Sequence, residues 1–462
     1  MKKLFLLISF LLFYNFHLYS QQIDSVESVN LLCKLIQIKS ISGDEKFIFE
    51  YLVNWCNDKD LNTEILTNCD SSYNFITTLY PLSSNKPLVL FTAHLDVVPA
   101  DTDMWIYPPF SGIIADSCIW GRGAIDDKGP LTMQLIALSS FTKSNKNIDL
   151  PYNIGVLAVS GEEVGGINGS FIVANNYLKK INPVVVFGEG GSGLQNVIPS
   201  YPEKIVFGIS IAEKVPLWLK IEAKTRSKGH SASTNELYAS KNLLKALMDI
   251  VDTPRPIKFD RITKKMLKEL GRMEGGVKGF VIKNSGSWLF WPFVKSYFLE
   301  GGAFNSLVSD TYNITEINTI KSPTNAIPQQ AYAYLDCRLL PGTSVKLFLM
   351  KLKLIAGNKV TISIVYQGTD AKPSSPDIYF DIMANSICKV FPNTEVQPIL
   401  FPASTDNNTY RALGYNVFGI TPMLMNNELV ETVHNSNERM PIKELINGIK
   451  VYYNFIETIQ KK

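Results

Sequence analysis

His94 and Asp96 stand two positions apart at the end of an apolar run, residues 88–93. Alternate residues of a strand face the same way, so the carboxylate can lie beside the imidazole. A metal-ligating histidine commonly hands its second ring proton to such a partner, which fixes the tautomer. The same stretch closes on GRGAIDDKG, residues 121–129, a small-residue turn that delivers Asp126 and Asp127 ahead of an apolar helical run at 131–141. Carboxylates on such a turn could hold a divalent ion. Taken alone, the segment reads equally well as a capped turn between a strand and a helix.

Two further apolar strands end the same way. NIGVLAVS, 153–160, runs into Gly161, Glu162 and Glu163, and PVVVF, 183–187, runs into Gly188 and Glu189, with a helix expected between them near 168–179. Apolar strands alternating with helices predict an α/β fold, a mostly parallel sheet flanked by helices. Ligands of such sheets gather at the carboxyl ends of the strands. One polar ending means little; three at one sheet edge point to a site.

The chain has four histidines, His17, His94, His230 and His434. The last three each lie among Gly, Asp, Ser or Asn near the end of an apolar run, where ligands and acid–base groups are common. That tilts the balance towards metal. Two zinc ions per chain, each four- or five-coordinate, can share a bridging carboxylate. Asp126 is the candidate bridge; His94 and Glu189 complete one ion, Glu163 and His434 the other. Glu162 is left over, placed to take a proton from an attacking water and pass it to a leaving amine.

A length of 462 residues predicts two or three domains, and 46% hydrophobic with 19% charged residues excludes a disordered chain. A net charge of +3 without a basic stripe argues against nucleic acid as a partner. Lys2 and Lys3, the apolar run 4–13 and Ser20 describe a secretory leader over residues 1–20, which implies an exported, periplasmic or extracellular protein. No cysteine near Ser20 supports a lipid anchor, and nothing later is long and apolar enough to span a bilayer. The six cysteines lack zinc-ribbon or redox spacing, and an exported protein could pair some of them.

Residues 21–214 therefore read as the first part of a catalytic domain and 368–462 as its second. Between them, 215–367 alternates apolar and polar residues in strands near 217–224, 312–320, 330–339 and 360–366, with helices near 236–251 and 344–355. This predicts a smaller inserted α+β domain.

With these motifs the chain resembles the di-zinc metallopeptidases that include aminoacylase, carboxypeptidase S and the bacterial glutamate carboxypeptidases. The resemblance is carried by HLDVVP at 94–99, Trp105 with Pro109 and Phe110, GRGAIDDKG, SGEEVGG at 160–166, GEGG at 188–191, GHSAS at 229–233, NAIPQQAYAYLDCRLLPG at 325–342, STDN at 404–407 and VHNSNE at 433–438. ISIAEKVPLWLKI at 209–221 is most similar to the carboxypeptidase S branch, with its secreted N-acyl amino acid hydrolases. The resemblance implies the ligand set above, a cis peptide after Asp126, and an inserted domain serving as lid and homodimer contact. It also implies that His230 stabilises an oxyanion and that Asn325 and Arg338 contact substrate; Asp96, placed beside His94 by strand parity, is counted with Glu162 and His230 as a catalytic residue. The chain departs from the family at Asn408, where an arginine commonly grips the substrate carboxylate; Arg411 or Arg338 would have to replace it. The aromatic run 288–298, WLFWPFVKSYF, reads either as packing or dimer contact in the inserted domain or as a lipophilic acyl site.

The expected activity is zinc-dependent cleavage of an amide bond next to an amino acid, of carboxypeptidase or dipeptidase type. Deacylation of N-acyl amino acids is the alternative within that class, and a non-catalytic binding protein on the same fold is the alternative outside it.

Overall fold

The computed structural model describes residues 23–69, 71–146, 148–226, 238–287, 289–291, 294, 302–320 and 324–461. The leader at 1–20, His230 with its GHSAS motif, and most of the aromatic run 288–298 lie outside the described residues.

Two amphipathic helices open the chain, α1 (Ser25–Gln37) and α2 (Lys46–Asp58). Asp24 starts α1 by accepting from the Glu27 amide at 2.9 Å, and Leu31, Leu32, Leu35 and Ile36 bury one stripe. Strands β1 (Asn62–Cys69), β2 (Ser72–Thr78), β3 (Leu88–His94), β4 (Ile113–Ala115) and β5 (Cys118–Trp120) lead to α3 (Lys128–Ser144) and β6 (Asn153–Val159). The single helix expected near 168–179 is two short ones, α4 (Ser170–Asn176) and α5 (Leu178–Ile181), broken where Tyr177 leaves helical geometry at φ −122°. Then come β7 (Pro183–Leu194) and β8 (Ile205–Glu213).

The inserted segment comprises β9 (Val215–Lys224), α6 (Ala239–Asp252), α7 (Arg261–Glu274), α8 (Gly276–Lys283), α9 (Gly302–Val308), β10 (Thr311–Thr319), β11 (Gln330–Leu339), α10 (Val345–Ala356) and β12 (Thr361–Gln367). The chain returns through α11 (Ile378–Val390), β13 (Thr394–Phe401), α12 (Asn407–Ala412), β14 (Val417–Leu424), α13 (Asn427–Thr432), β15 (Arg439–Pro441) and α14 (Ile442–Ile459).

The main sheet runs β1-β2-β6-β3-β7-β14-β8-β13. Its centre, β6, β3, β7 and β14, is parallel, so four carboxyl ends reach one edge. Both faces are covered, which explains the unbroken apolar runs. Val89, Phe91 and Ala93 of β3 pack into the core beneath α1, α3 and α14. Leu88 and Leu90, of opposite parity, pack with Val173, Leu178 and Tyr410 on the other side.

A separate antiparallel sheet, β10-β11-β9-β12, belongs to the inserted segment. Every second residue of β11, from Ala331 to Leu339, is buried against α6 and α10. Not all of the insertion stays with that sheet. Met266, Leu267, Leu270 and Met273 of α7 form an apolar cluster with Ile198 and Val206 of the main-sheet side, and Trp291 and Phe304 pack beside them. Of the aromatic run, Trp291 and Val294 are thus wall material at the main sheet's outer edge. All six cysteines are free thiols, and no described helix is long and apolar enough to cross a membrane.

Candidate metal centre and active site

The parallel strand ends converge as the sheet topology requires. β3 delivers His94, and β6 runs into Gly161 and the short turn Glu162–Val164. β7 carries Glu189, which can approach the neighbouring strands and α12 because Gly188 has no side chain; a Cβ there would stand 2.2 Å from Asn407 Oδ1. Asp126 comes from the turn before α3, where the Asp126–Asp127 peptide is cis. His434 follows α13 with a left-handed backbone, φ 59°.

His94 Nε2 lies 2.9 Å from Asp126 Oδ1 and 3.9 Å from Glu189 Oε1. His434 Nε2 lies 3.0 Å from Asp126 Oδ2 and 3.1 Å from Glu163 Oε2. The two groups, His94–Asp126–Glu189 and Asp126–Glu163–His434, each have the compactness a metal ion needs, and Asp126 offers one oxygen to each. Five residues separated by up to 340 positions of sequence are therefore brought together, in the pairing expected from the ligand count.

The electrostatics fit cations as well. Burial, then neighbouring acids, push Asp127, Glu162, Glu163 and Glu189 above the ordinary carboxyl range. Asp126, despite burial, is held far below it by His434 and His94. Asp127 Oδ1 and Glu163 Oε1 are buried without a hydrogen-bond partner. A site crowded with carboxylates beside two imidazoles is short of positive charge, and an oxygen and nitrogen donor set of this kind suits divalent cations, zinc among them.

The Asp96 carboxylate lies beside the imidazole as the sequence suggests, Oδ1 3.4 Å from His94 Nδ1, while the shorter Nδ1 contact is to the Asp96 carbonyl oxygen at 2.9 Å. The carboxylate also accepts from the Glu162 amide at 3.0 Å, the Glu163 amide at 3.1 Å and the Ser42 hydroxyl at 2.7 Å. Asp96 thereby ties the imidazole to the turn that carries both glutamates.

Glu438 was missed, although it ends the VHNSNE motif. Fully buried, its carboxylate accepts from Arg122 Nη1 at 2.7 Å and from the amides of Gly123, Ile125 and Asp126 at 3.0, 2.8 and 3.1 Å. It fixes the turn that presents Asp126.

The cleft above these residues holds about 650 Å³ and is lined from the inserted sheet by Trp218, Arg338 and Tyr366. Tyr366 stacks on Trp218 at 4.6 Å and donates from its hydroxyl to the Gly165 carbonyl at 3.3 Å, joining that sheet to the glutamate turn. Arg338 faces the cleft while its guanidinium is paired to Asp336 at 2.9 Å. Asn325 is exposed ahead of β11 and does not line the cleft. Arg411, considered as a replacement for the carboxylate-gripping arginine, is buried beneath the wall: Nη1 contacts Glu213 at 3.0 Å and Asn408 Oδ1 at 3.2 Å, and Nε donates to the Val417 carbonyl. Its charge is neutralised by Glu213 and does not face substrate.

The fold and this constellation define a metallohydrolase. Residues 90–458 match peptidase family M20/M25/M40, and the chain belongs to that family. It is 28% identical over 406 residues to probable carboxypeptidase S-like 2 of Dictyostelium discoideum, spanning 85% of this chain and 76% of the relative. It is also 28% identical over 396 residues to the mouse (Mus musculus) N-fatty-acyl-amino acid synthase/hydrolase PM20D1, spanning 84% and 77%. The fold matches that of an M20 family metallo-carboxypeptidase from Sulfolobus solfataricus with TM-score 0.68 at 20% identity, covering 94% of this chain and 100% of the other. The protein is thus a peptidase or amidohydrolase of the carboxypeptidase and dipeptidase kind.

Proposed function

We propose that the protein is an exported, two-zinc hydrolase that cleaves the amide bond next to an amino acid in small peptides. The observation that carries this reading is the pair of three-residue groups joined through Asp126 at the floor of one cleft. Bound there by His94, Asp126 and Glu189 and by Asp126, Glu163 and His434, divalent cations would polarise the scissile carbonyl and acidify an attacking water. Glu162, beside the ligands with its amide held by Asp96, takes the water proton and returns it to the leaving nitrogen. Arg338 and Asn408, both on the lining of the cleft, orient the substrate. His230 serves as oxyanion donor on the strength of its GHSAS motif alone.

Hydrolysis of N-acyl amino acids is the second reading, favoured by the similarity to the mouse N-fatty-acyl-amino acid enzyme. Export rests on the leader, Lys2, Lys3 and the apolar run that follows. Homodimerisation is supported by Leu347, Met350 and Leu354, which expose 58%, 57% and 84% of their surface along one face of α10. The deciding experiment is a hydrolysis screen of dipeptides and N-acyl amino acids, with zinc and with chelator, alongside elemental analysis. Turnover that needs metal, at two ions per chain, is expected. A chain that binds no metal and turns over neither substrate kind is instead a non-catalytic binding protein.

A further inference from the structure

Residues 255–291 hold nine basic and three acidic side chains, whereas the other 425 residues hold 36 and 39. The near-neutral total conceals this concentration, and the fold arrays it as a stripe that the sequence reading did not find. Arg261, Lys265, Lys268 and Arg272 of α7 recur at spacings of four, three and four, so they share one side of the helix, with Lys264 next to them. All five are exposed, opposite the buried Met266, Leu267 and Leu270. The three acids of the segment are already engaged. Asp260 caps α7 by accepting from the Thr263 amide at 2.7 Å, Glu274 accepts from the Ser200 hydroxyl at 2.6 Å, and Glu269 accepts from Arg272 Nε at 2.8 Å. Arg272 also reaches Glu395 at 3.5 Å, but Arg261 and the three lysines make no ion pair among the described residues.

Helix α8 lies alongside. Gly271 and Gly279 let the two backbones meet, since a Cβ on Gly271 would stand 2.4 Å from the Gly279 carbonyl oxygen. Both helices rest on the same apolar cluster, α7 through Met266 and Leu270 and α8 through Val281 and Ile282, so their far sides form one outward surface. On it α8 exposes 82% of Val277 and 56% of Phe280, between the exposed Lys278 and Lys283. Leu289, just past the helix, is 54% exposed, and the ring of its neighbour Phe290 meets that of Phe280 at 5.4 Å. Exposed hydrocarbon beside unpaired lysines suits a surface that is anionic outside and apolar just beneath, which is the construction of a lipid leaflet. A soluble polyanion would use the charge and leave these apolar side chains in water; an uncharged partner would leave the charge idle. No described helix can cross a membrane, so the contact is peripheral. We propose that the outer face of the α7–α8 hairpin docks the protein onto an anionic phospholipid surface, with the basic stripe at the phosphates and Val277, Phe280 and Leu289 below the headgroups. This goes beyond the hydrolase reading and does not depend on it.

The test is sedimentation of the full chain with vesicles of phosphatidylcholine alone or mixed with phosphatidylglycerol, at low and at high salt. Binding is expected only where the anionic lipid is present, and it should weaken as salt rises. This comparison needs no variant. K265Q/K268Q is expected to weaken it about 25-fold, about fivefold per lysine, the equivalent of ~1 kcal/mol for each basic side chain near a charged leaflet. F280S keeps every charge and is expected to weaken vesicle binding while leaving retention on heparin unchanged. Wild-type melting temperatures for both variants would report that they fold. No binding to either vesicle, or equal binding to both, would overturn the proposal. A loss in K265Q/K268Q that F280S does not share would overturn it in favour of a soluble polyanion.

Discussion

Arg411 Nη1 donates to Asn408 Oδ1 at 3.2 Å, which leaves the amide nitrogen of this cleft-lining residue buried and without a hydrogen-bond partner. Where the resemblance expects a charged grip on substrate, this chain has a neutral amide held from behind by a charge that Glu213 neutralises.

Asn408→Ala is therefore expected to raise KM about 2- to 10-fold, the worth of one hydrogen bond of ~0.5–1.5 kcal/mol, with kcat little changed. Asn408→Asp should be worse, because it aims an acceptor at a carboxylate. Steady-state kinetics on the preferred substrate separate the two effects; an unchanged KM in both variants would remove Asn408 from the binding site.

Glu162→Gln should keep its full metal content and lose about 100-fold or more in kcat, the usual worth of a positioned acid–base group. Elemental analysis beside initial rates checks this. Glu163→Gln differs in kind, since it removes an oxygen from one of the two metal groups; it should lose metal before it loses anything else.

Glu438→Ala strips four hydrogen bonds from one buried carboxylate and leaves Arg122 buried without its counter-charge. A loss of about 3–5 kcal/mol is expected from urea unfolding, the range for breaking a buried ion pair. Metal affinity should fall with it, because the Asp126 turn is no longer held.

Glu45 accepts from the Gly43 amide at 3.0 Å, but its other oxygen is buried without a partner. Burial, aided by the nearby Asp96, pushes its carboxyl up to about 7. Between the ordinary value of 4.5 and about 7 the folded chain keeps this proton and the unfolded chain does not. Its contribution therefore favours the fold below pH 4.5 and is lost as pH rises towards 7. Glu45→Gln stays neutral throughout, so its melting temperature relative to wild type should climb across that window and level off above it. A constant difference from pH 4 to pH 8 would refute the assignment.

The metal groups were legible because each ligand punctuates an apolar strand or a glycine turn, a local pattern that sequence displays. What sequence hid depends on depth. Arg411 stands one helical turn from Asn408, so it looked able to reach substrate; only the buried Glu213 beneath it decides otherwise. Glu438 bonds mainly to backbone amides 312–315 positions away, which leaves no local signature. β13 passed unread because Pro398 interrupts it, and a proline is tolerated there because β13 is an edge strand. α7 shows clear helical spacing, yet nothing in its sequence tells which of two sheets it will cover.

His434 and Glu438 lie more than 270 positions beyond their partners Asp126 and Glu163. A nascent chain that has not reached residue 434 therefore carries one of the two metal groups and an unsupported Asp126 turn. Truncation before that residue would remove a histidine and a buried brace together, so the centre assembles only when two remote stretches of polypeptide meet.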